Sequence, residues 1–155
     1  MMIGKRKQRK YRNKPVTYDG YKFDSEAEGY RYLTLKSLKK AGLISELEVH
    51  PEYPLQSAFR KCMSCNNIQD HVPNSRLKKD ITCERCGGKT VFFDAITYIA
   101  DFRVVYTDNI EEIEDVKGSM SIITDVFAMK RKMFEWIYRD KKLKIVIPGK
   151  TGNKI

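Results

Sequence analysis

Over residues 24–42, "DSEAEGYRYLTLKSLKKAG", the positions Ala27, Tyr30, Leu33 or Thr34, Leu38 and Ala41 fall near helical spacing, and Gly42 suits the C-terminal stop. The pattern predicts a helix. At its start Ser25-x-x-Glu28 matches a capping box, in which Glu28 reaches back to the Ser25 amide. The next run, "LISELEVHPEYPLQ", alternates like a strand until Pro51 and Pro54 interrupt it, as at an edge or a bulge. Dense β-branched and aromatic residues over 97–106, a turn at "TDN" and a return run over 110–117 predict a hairpin. Thr124 or Asp125 then caps a second helix whose Val126, Met129, Met133, Phe134 and Ile137 share one face, read as core. "LKIVIP", residues 143–148, is a short apolar strand closed by proline, expected to be buried in the sheet. The order helix, strand, insertion, hairpin, helix, strand gives a small α/β sandwich, and a chain of 155 residues with 41% hydrophobic content suffices for one core.

The insertion is marked by the only four cysteines. Cys62 and Cys65 form one C-x-x-C, Cys83 and Cys86 another, and the seventeen residues between the pairs lie in the range of a zinc ribbon. Each pair sits on a turn from which two thiolates can face one tetrahedral ion, and Gly87 and Gly88 allow the tight backbone after the second. Four thiolates fill the coordination sphere of Zn²⁺, so this metal is structural and activates no water. Two disulfides or free thiols are the weaker alternatives, disfavoured inside a cell. His71 reads as a loop residue, and the polar stretch between the pairs as one that folds because metal pins its ends.

Charge changes the picture at the N-terminus. Of a formal net charge of +10, Lys5, Arg6, Lys7, Arg9, Lys10, Arg12 and Lys14 supply seven with no acid among them. A basic arm on a nearly neutral body points to a polyanion such as DNA, because each neutralised phosphate releases counterions. A solvated tail is the plainer explanation. No run approaches the length of a membrane span, and the N-terminus lacks an apolar signal region, so a cytoplasmic protein with no membrane partner is expected.

The hairpin carries the candidate chemistry. Asp115 and Lys117 project from one face of a strand while Val116 points to the other, and Asp101 on the neighbouring strand can approach Asp115. Two carboxylates with an ammonium beside them suit a hard divalent cation such as Mg²⁺, which takes one or two carboxylates and leaves positions for a phosphate oxygen. Alternation turns Glu114 away, as a surface acid and backup ligand. Without those partners, Asp115 and Lys117 read as a solvated same-face pair.

Taken together, "FDSEAEGYRYLTLK", "YIADF", "EDVKG" and "TDVFAMKRKMF" resemble the PD-(D/E)XK nuclease superfamily, and within it a group of short phage-borne proteins likened to Holliday-junction resolvases. The resemblance implies a restriction-endonuclease-like α-β-β-β-α-β core, a mixed sheet flanked by helices, over residues 16–58 and 90–155. Residues 1–15 would be the basic flexible arm and 59–89 the inserted ribbon. It implies Glu28, Asp101 and Asp115 as ligands of Mg²⁺ or Mn²⁺ and Lys117 as the group that positions the nucleophile. Capping competes with catalysis for Glu28, and Glu26 is the understudy. Ala100 stands where the motif name has proline. DNA is the implied partner, bound by Lys5, Arg6, Lys7, Arg9, Lys10, Arg12, Lys130 and Arg131, with Lys130 on the scissile-strand phosphate and Tyr11, Tyr18 and Tyr21 available for stacking. A homodimer follows by analogy with resolvases, which make two symmetric cuts. The ribbon either presents Arg60, Lys61, Arg76, Lys78, Lys79 or Arg85 to phosphates or clips a small core. The competing expectation is a zinc-ribbon nucleic-acid-binding protein on a catalytically inactive scaffold. A third is an adaptor with a protein partner.

Overall fold

The computed structural model describes residues 14–70, 81–118 and 123–148. The arm residues Lys5 to Arg12, with Tyr11, His71, Arg76, Lys78 and Lys79, lie outside them. No described helix is long and apolar enough to cross a membrane. An N-terminal hairpin, β1 (Val16–Tyr18) and β2 (Tyr21–Phe23), turns at Asp19 and Gly20, whose φ values of 51° and 83° are the positive pair that tight hairpin turns favour. Helix α1 (Glu26–Lys40) follows, capped by the Ser25 side chain and ended at Gly42 with φ 76°. Then come β3 (Ile44–Val49) and β4 (Glu52–Gln56), the ribbon strands β5 (Phe59–Cys62), β6 (Ile68–Asp70) and β7 (Thr90–Phe93), and β8 (Ile96–Ile99), β9 (Phe102–Tyr106) and β10 (Glu111–Val116). Helix α2 (Asp125–Ile137), capped by Thr124, and β11 (Leu143–Val146) complete the described chain.

The result is a mixed α/β fold. Its main sheet has the order β11-β10-β9-β3, with β10 and β11 parallel across the α2 crossover and the other pairs antiparallel. The β3/β9 ladder passes into the β4/β8 ladder through a bend. There His50 adopts φ 55°, its amide donates to the Asp101 carbonyl at 3.0 Å, and the Ala100 amide donates to the Pro51 carbonyl at 3.1 Å. The run over 97–106 is therefore two strands, and Asp101 sits at the bend between them. A kink is the response to Pro51, which cannot donate to a ladder.

Two apolar clusters occupy the two faces. On one side Phe23, Tyr32, Leu35, Phe102, Val104 and Val116 pack under α1; on the other Tyr53, Tyr98, Ala100, Ile113, Phe134 and Leu143 pack under α2. The α1 face is rotated from the sequence expectation: Tyr32 and Leu35 are buried, Ala27, Leu33 and Leu38 only partly, and Tyr30 is exposed. Gly29 sets that rotation, since a Cβ there would meet Val16 Cγ2 at 2.5 Å and Tyr18 Cε2 at 2.7 Å. The hairpin thus lies against the helix backbone, and Tyr18 packs with Phe23 instead of belonging to a nucleic-acid arm. On α2 only Phe134 is fully buried, while Val126, Met129 and Ile137 are exposed. That helix rests on the narrow β4/β8 ladder, which covers a strip of Phe127, Met133, Phe134 and Tyr138 and no more. β11 is an edge strand, half-buried beyond Leu143.

The ribbon is a three-stranded sheet of order β6-β5-β7, so its strands run on to Phe93, past residue 89. Arg60 is one of its buried residues, donating to Thr90 Oγ1 at 3.2 Å with its guanidinium 5.5 Å from the Phe92 ring centre. It is part of the ribbon's interior, not a phosphate-facing cation, because its neighbours across the sheet supply its partners.

Candidate active-site cleft and metal centre

Each C-x-x-C closes on a turn. The amides of Ser64 and Cys65 point at Cys62 Sγ at 3.4 and 3.5 Å, Asn66 N–H donates to the Cys62 carbonyl, and Gly87 N–H to the Cys83 carbonyl. The four sulfurs lie within 4.8 Å of one another, with Cys62 to Cys86 at 3.5 Å and Cys65 to Cys83 at 3.6 Å. Zn–S bonds of about 2.3 Å in a tetrahedron place sulfurs roughly 3.8 Å apart, so the cage is of the right size. The Cys65 amide, then the Ser64 amide, hold the Cys62 thiol down to about 6 against its burial. Gly88 is required by contact: a Cβ would stand 2.8 Å from Ser64 Oγ and 3.2 Å from Cys86 Sγ. These four cysteines can hold a metal ion such as zinc.

The second site begins with the hairpin register. Phe102 pairs with Glu114, and one step further Asp101 comes opposite Asp115; the Asp101 amide donates to the Glu114 carbonyl at 3.0 Å, and Asp101 Oδ2 accepts the Val116 amide at 2.6 Å. Asp115 is buried, its Oδ2 accepting from Tyr98 Oη at 2.8 Å and its Oδ1 in ion-pair contact with Lys117 Nζ. Lys117 Nζ also stands 4.6 Å from the centre of the Phe127 ring. From the α1 side comes Glu28, whose Oε1 accepts from the Ser25 hydroxyl at 2.8 Å and Oε2 from the Asp24 amide at 2.9 Å. The capping box forms with the Asp24 amide, where the sequence pointed to that of Ser25.

Glu28, Asp101, Asp115, Lys117 and Lys130 line one cleft of about 590 Å³, together with Lys22, His50 and Tyr98. Lys130 Nζ is itself engaged, donating to the Thr97 carbonyl on β8 at 2.7 Å. Arg131 lies elsewhere, 3.6 Å from Glu135 on the exposed side of α2, and Glu26 is absent from the lining. Glu114 is not a surface acid. It is wholly buried on the α1 face, bound by Arg31 Nε at 2.7 Å and Nη2 at 2.5 Å, because the pleat that turns Asp115 toward the cleft turns Glu114 into the core. Lys22, His50 and Tyr98 escaped the sequence reading; Asp19-Gly20 was the signal for the hairpin that carries Lys22 to the rim.

Burial, then the negative charge of Asp115 and to a lesser degree Glu28, pushes the Asp101 carboxyl up to about 7, against the Val116 amide and Lys117. The folded value lies above the ordinary one, so the folded protein holds this proton more tightly. Stability from that source is complete below the unfolded pKa and is lost as pH rises through about 7. Without added divalent ion, the melting temperature is expected to fall between about pH 5 and about pH 8 more in the wild type than in Asp101→Asn. Thermal scans of both proteins measure the difference; parallel curves would mean that Asp101 carries no such strain.

The profile of a family described as protein of unknown function (DUF1064) matches residues 8–151. The chain belongs to that family. No curated protein and no solved structure matches it. The DUF1064 match spans both the cysteine cage and the acidic cleft, so both fall within the family's extent.

Proposed function

We propose that the chain is a metal-dependent DNA endonuclease of the PD-(D/E)XK kind, built on a restriction-endonuclease-like core. One observation carries the reading: Asp101 and Asp115, in adjacent register on two strands, meet Lys117 and Glu28 in one cleft, and the buried Asp115 Oδ1 is paired with the Lys117 ammonium. The order α1, β3, β9, β10, α2, β11 along the main sheet agrees with the expected core.

The donor set fits a hard cation. Asp101 Oδ1 takes no hydrogen bond from the described residues, and Asp115 Oδ1 faces the Lys117 ammonium, which a bound cation would displace or share. Asp101, Asp115 and Glu28 would hold Mg²⁺ or Mn²⁺, which when bound supplies Lewis-acid stabilisation of the charge that develops on the phosphate. Tyr98 and the Val116 amide fix the two carboxylates in place through their other oxygens. Lys117 neutralises Asp115 and is held against Phe127, where its ammonium can donate to a phosphate oxygen or orient an attacking water. Lys22 and Lys130, in a lining that also holds Asp24 and Glu52, give the rim positive charge for the DNA backbone.

The test is cleavage of end-labelled linear and branched DNA with Mg²⁺ or Mn²⁺. Wild type is expected to cut at least about a hundredfold faster than Asp115→Ala and at least about tenfold faster than Lys117→Ala, as expected when a metal ligand or a charge-stabilising cation is removed. Equal rates for all three would end the enzyme reading.

One observation favours the second reading, a DNA-binding protein on an inactive scaffold. Both Glu28 oxygens are engaged in capping, and among the described residues the set of ligand atoms within 4.8 Å is that of the cysteines, not of the acids. That reading expects salt-dependent DNA affinity that survives loss of the acids and falls on deletion of residues 1–15.

A further inference from the structure

Beside the acidic cleft, and sharing Phe127 with it, a second concavity of about 740 Å³ runs along α2, lined by Ile123, Ala128, Arg131, Lys132 and Trp136 with Glu135 as its one acid. Trp136 is 71% exposed, an unusual position for the only tryptophan of the chain. It is also held. The Arg139 guanidinium stands 4.2 Å from the indole centre, and Arg139 Nε donates to the Trp136 carbonyl at 3.2 Å.

Two further cations line the same groove. Lys132 is exposed and has no ion-pair partner among the described residues, and the Arg131–Glu135 pair, at 3.6 Å with both side chains more than 40% exposed, is weakly coupled. A large flat apolar surface beside an unpaired lysine and a weakly paired arginine suits a ligand with a planar ring and a negative backbone. A nucleotide has both, and aromatic platforms beside basic side chains are how unpaired strands are held.

We propose that this groove is a stacking subsite for an unpaired nucleobase of the DNA strand that enters the cleft, with the base on Trp136 and its phosphates on Arg131 and Lys132. The strand's passage into the cleft rests on the endonuclease reading; the subsite itself requires nucleic acid alone. From Phe127 to Trp136 the helix advances about 13 Å, and a stacked strand covers that in about four steps of 3.4 Å. Substrates with an unpaired segment about four nucleotides or longer beside the cut are therefore the favoured class.

Trp136 reports on its own occupancy, since no other tryptophan contributes emission. Zinc-loaded Asp115→Ala protein, without added Mg²⁺, would be titrated with a single-stranded oligonucleotide, with a duplex carrying an unpaired tail and with a blunt duplex. Tryptophan emission and the anisotropy of labelled DNA would be followed together. Single-stranded and tailed DNA are expected to quench Trp136, and Trp136→Ala to weaken tailed-duplex binding about tenfold or more while blunt-duplex binding changes less than about threefold. Trp136→Phe should recover most of the loss, and the melting temperature should not move, because the ring is exposed. Saturated anisotropy without quenching, or equal losses on tailed and blunt DNA, would overturn the proposal. So would sedimentation in which Trp136→Ala abolishes self-association and leaves DNA affinity intact, which would give the groove to a second copy of the chain. Quenching that depends on Trp136, in a wild type that cuts nothing with Mg²⁺, would sustain the subsite and remove the nuclease.

Discussion

Arg31→Ala is expected to destabilise the fold by about 3–5 kcal/mol, the cost of stranding a buried charge. Its partner Glu114 is completely buried, and both carboxylate oxygens are held by the Arg31 guanidinium at 2.7 and 2.5 Å; Lys144 comes no closer than 4.0 Å. With the guanidinium gone, Glu114 is left as a buried carboxylate without its partner. Urea unfolding of the variant beside the wild type measures the loss. Arg31→Met combined with Glu114→Gln removes the stranded charge as well, and should recover much of the loss. If Arg31→Ala costs less than about 1 kcal/mol, the pair behaves as an exposed one and Glu114 is not sealed in the core.

That ion pair also shows where the sequence was legible and where it was not. Strand alternation separated Glu114 from Asp115, and the hairpin register did bring Asp101 beside Asp115, because both follow from the pleat alone. Alternation does not say which face is wet. Alternation alone makes Glu114 a surface acid because its partner, Arg31, is remote in sequence and comes from a helix whose apolar spacing points to a different buried face. The α1 error had one physical source, Gly29, where the absence of a side chain admits the β1-β2 hairpin and favours Tyr32 over Tyr30. On α2 the apolar stripe was real, but periodicity cannot tell how wide a surface lies beneath it. The cysteine pairs were the most legible feature, since ligand chemistry fixes their spacing. The bend that sets Asp101 in the lining of the cleft was not legible: it arises from two strands bonding across His50 and Pro51.

Removing metal from the cysteine cage should have the largest effect on structure. Among the described residues the ribbon has little apolar interior: Cys62 and Cys83 are its buried cysteines, Arg60, Gln69 and Thr90 are buried polar residues, and Met63, Ile68, Val91 and Phe93 are exposed. A sheet so poor in apolar contacts cannot offset the entropy of ordering its loops, whereas structural zinc sites contribute on the order of 10 kcal/mol or more. Chelation, or Cys62→Ser with Cys83→Ser, should therefore abolish amide-exchange protection across β5, β6 and β7 while β9 and β10 remain protected. The strands β5 and β7 continue into β4 and β8, whose Tyr98 holds Asp115 through a hydrogen bond of 2.8 Å. Loss of the ribbon should consequently loosen the cleft, and cutting, where present, should fall before the core melts. Elemental analysis should find one zinc per chain in the native protein. Four freely reactive thiols in a metal-free protein whose ribbon amides stay protected would show that the cage closes without an ion, and the link from ribbon to Asp115 would lose its physical basis.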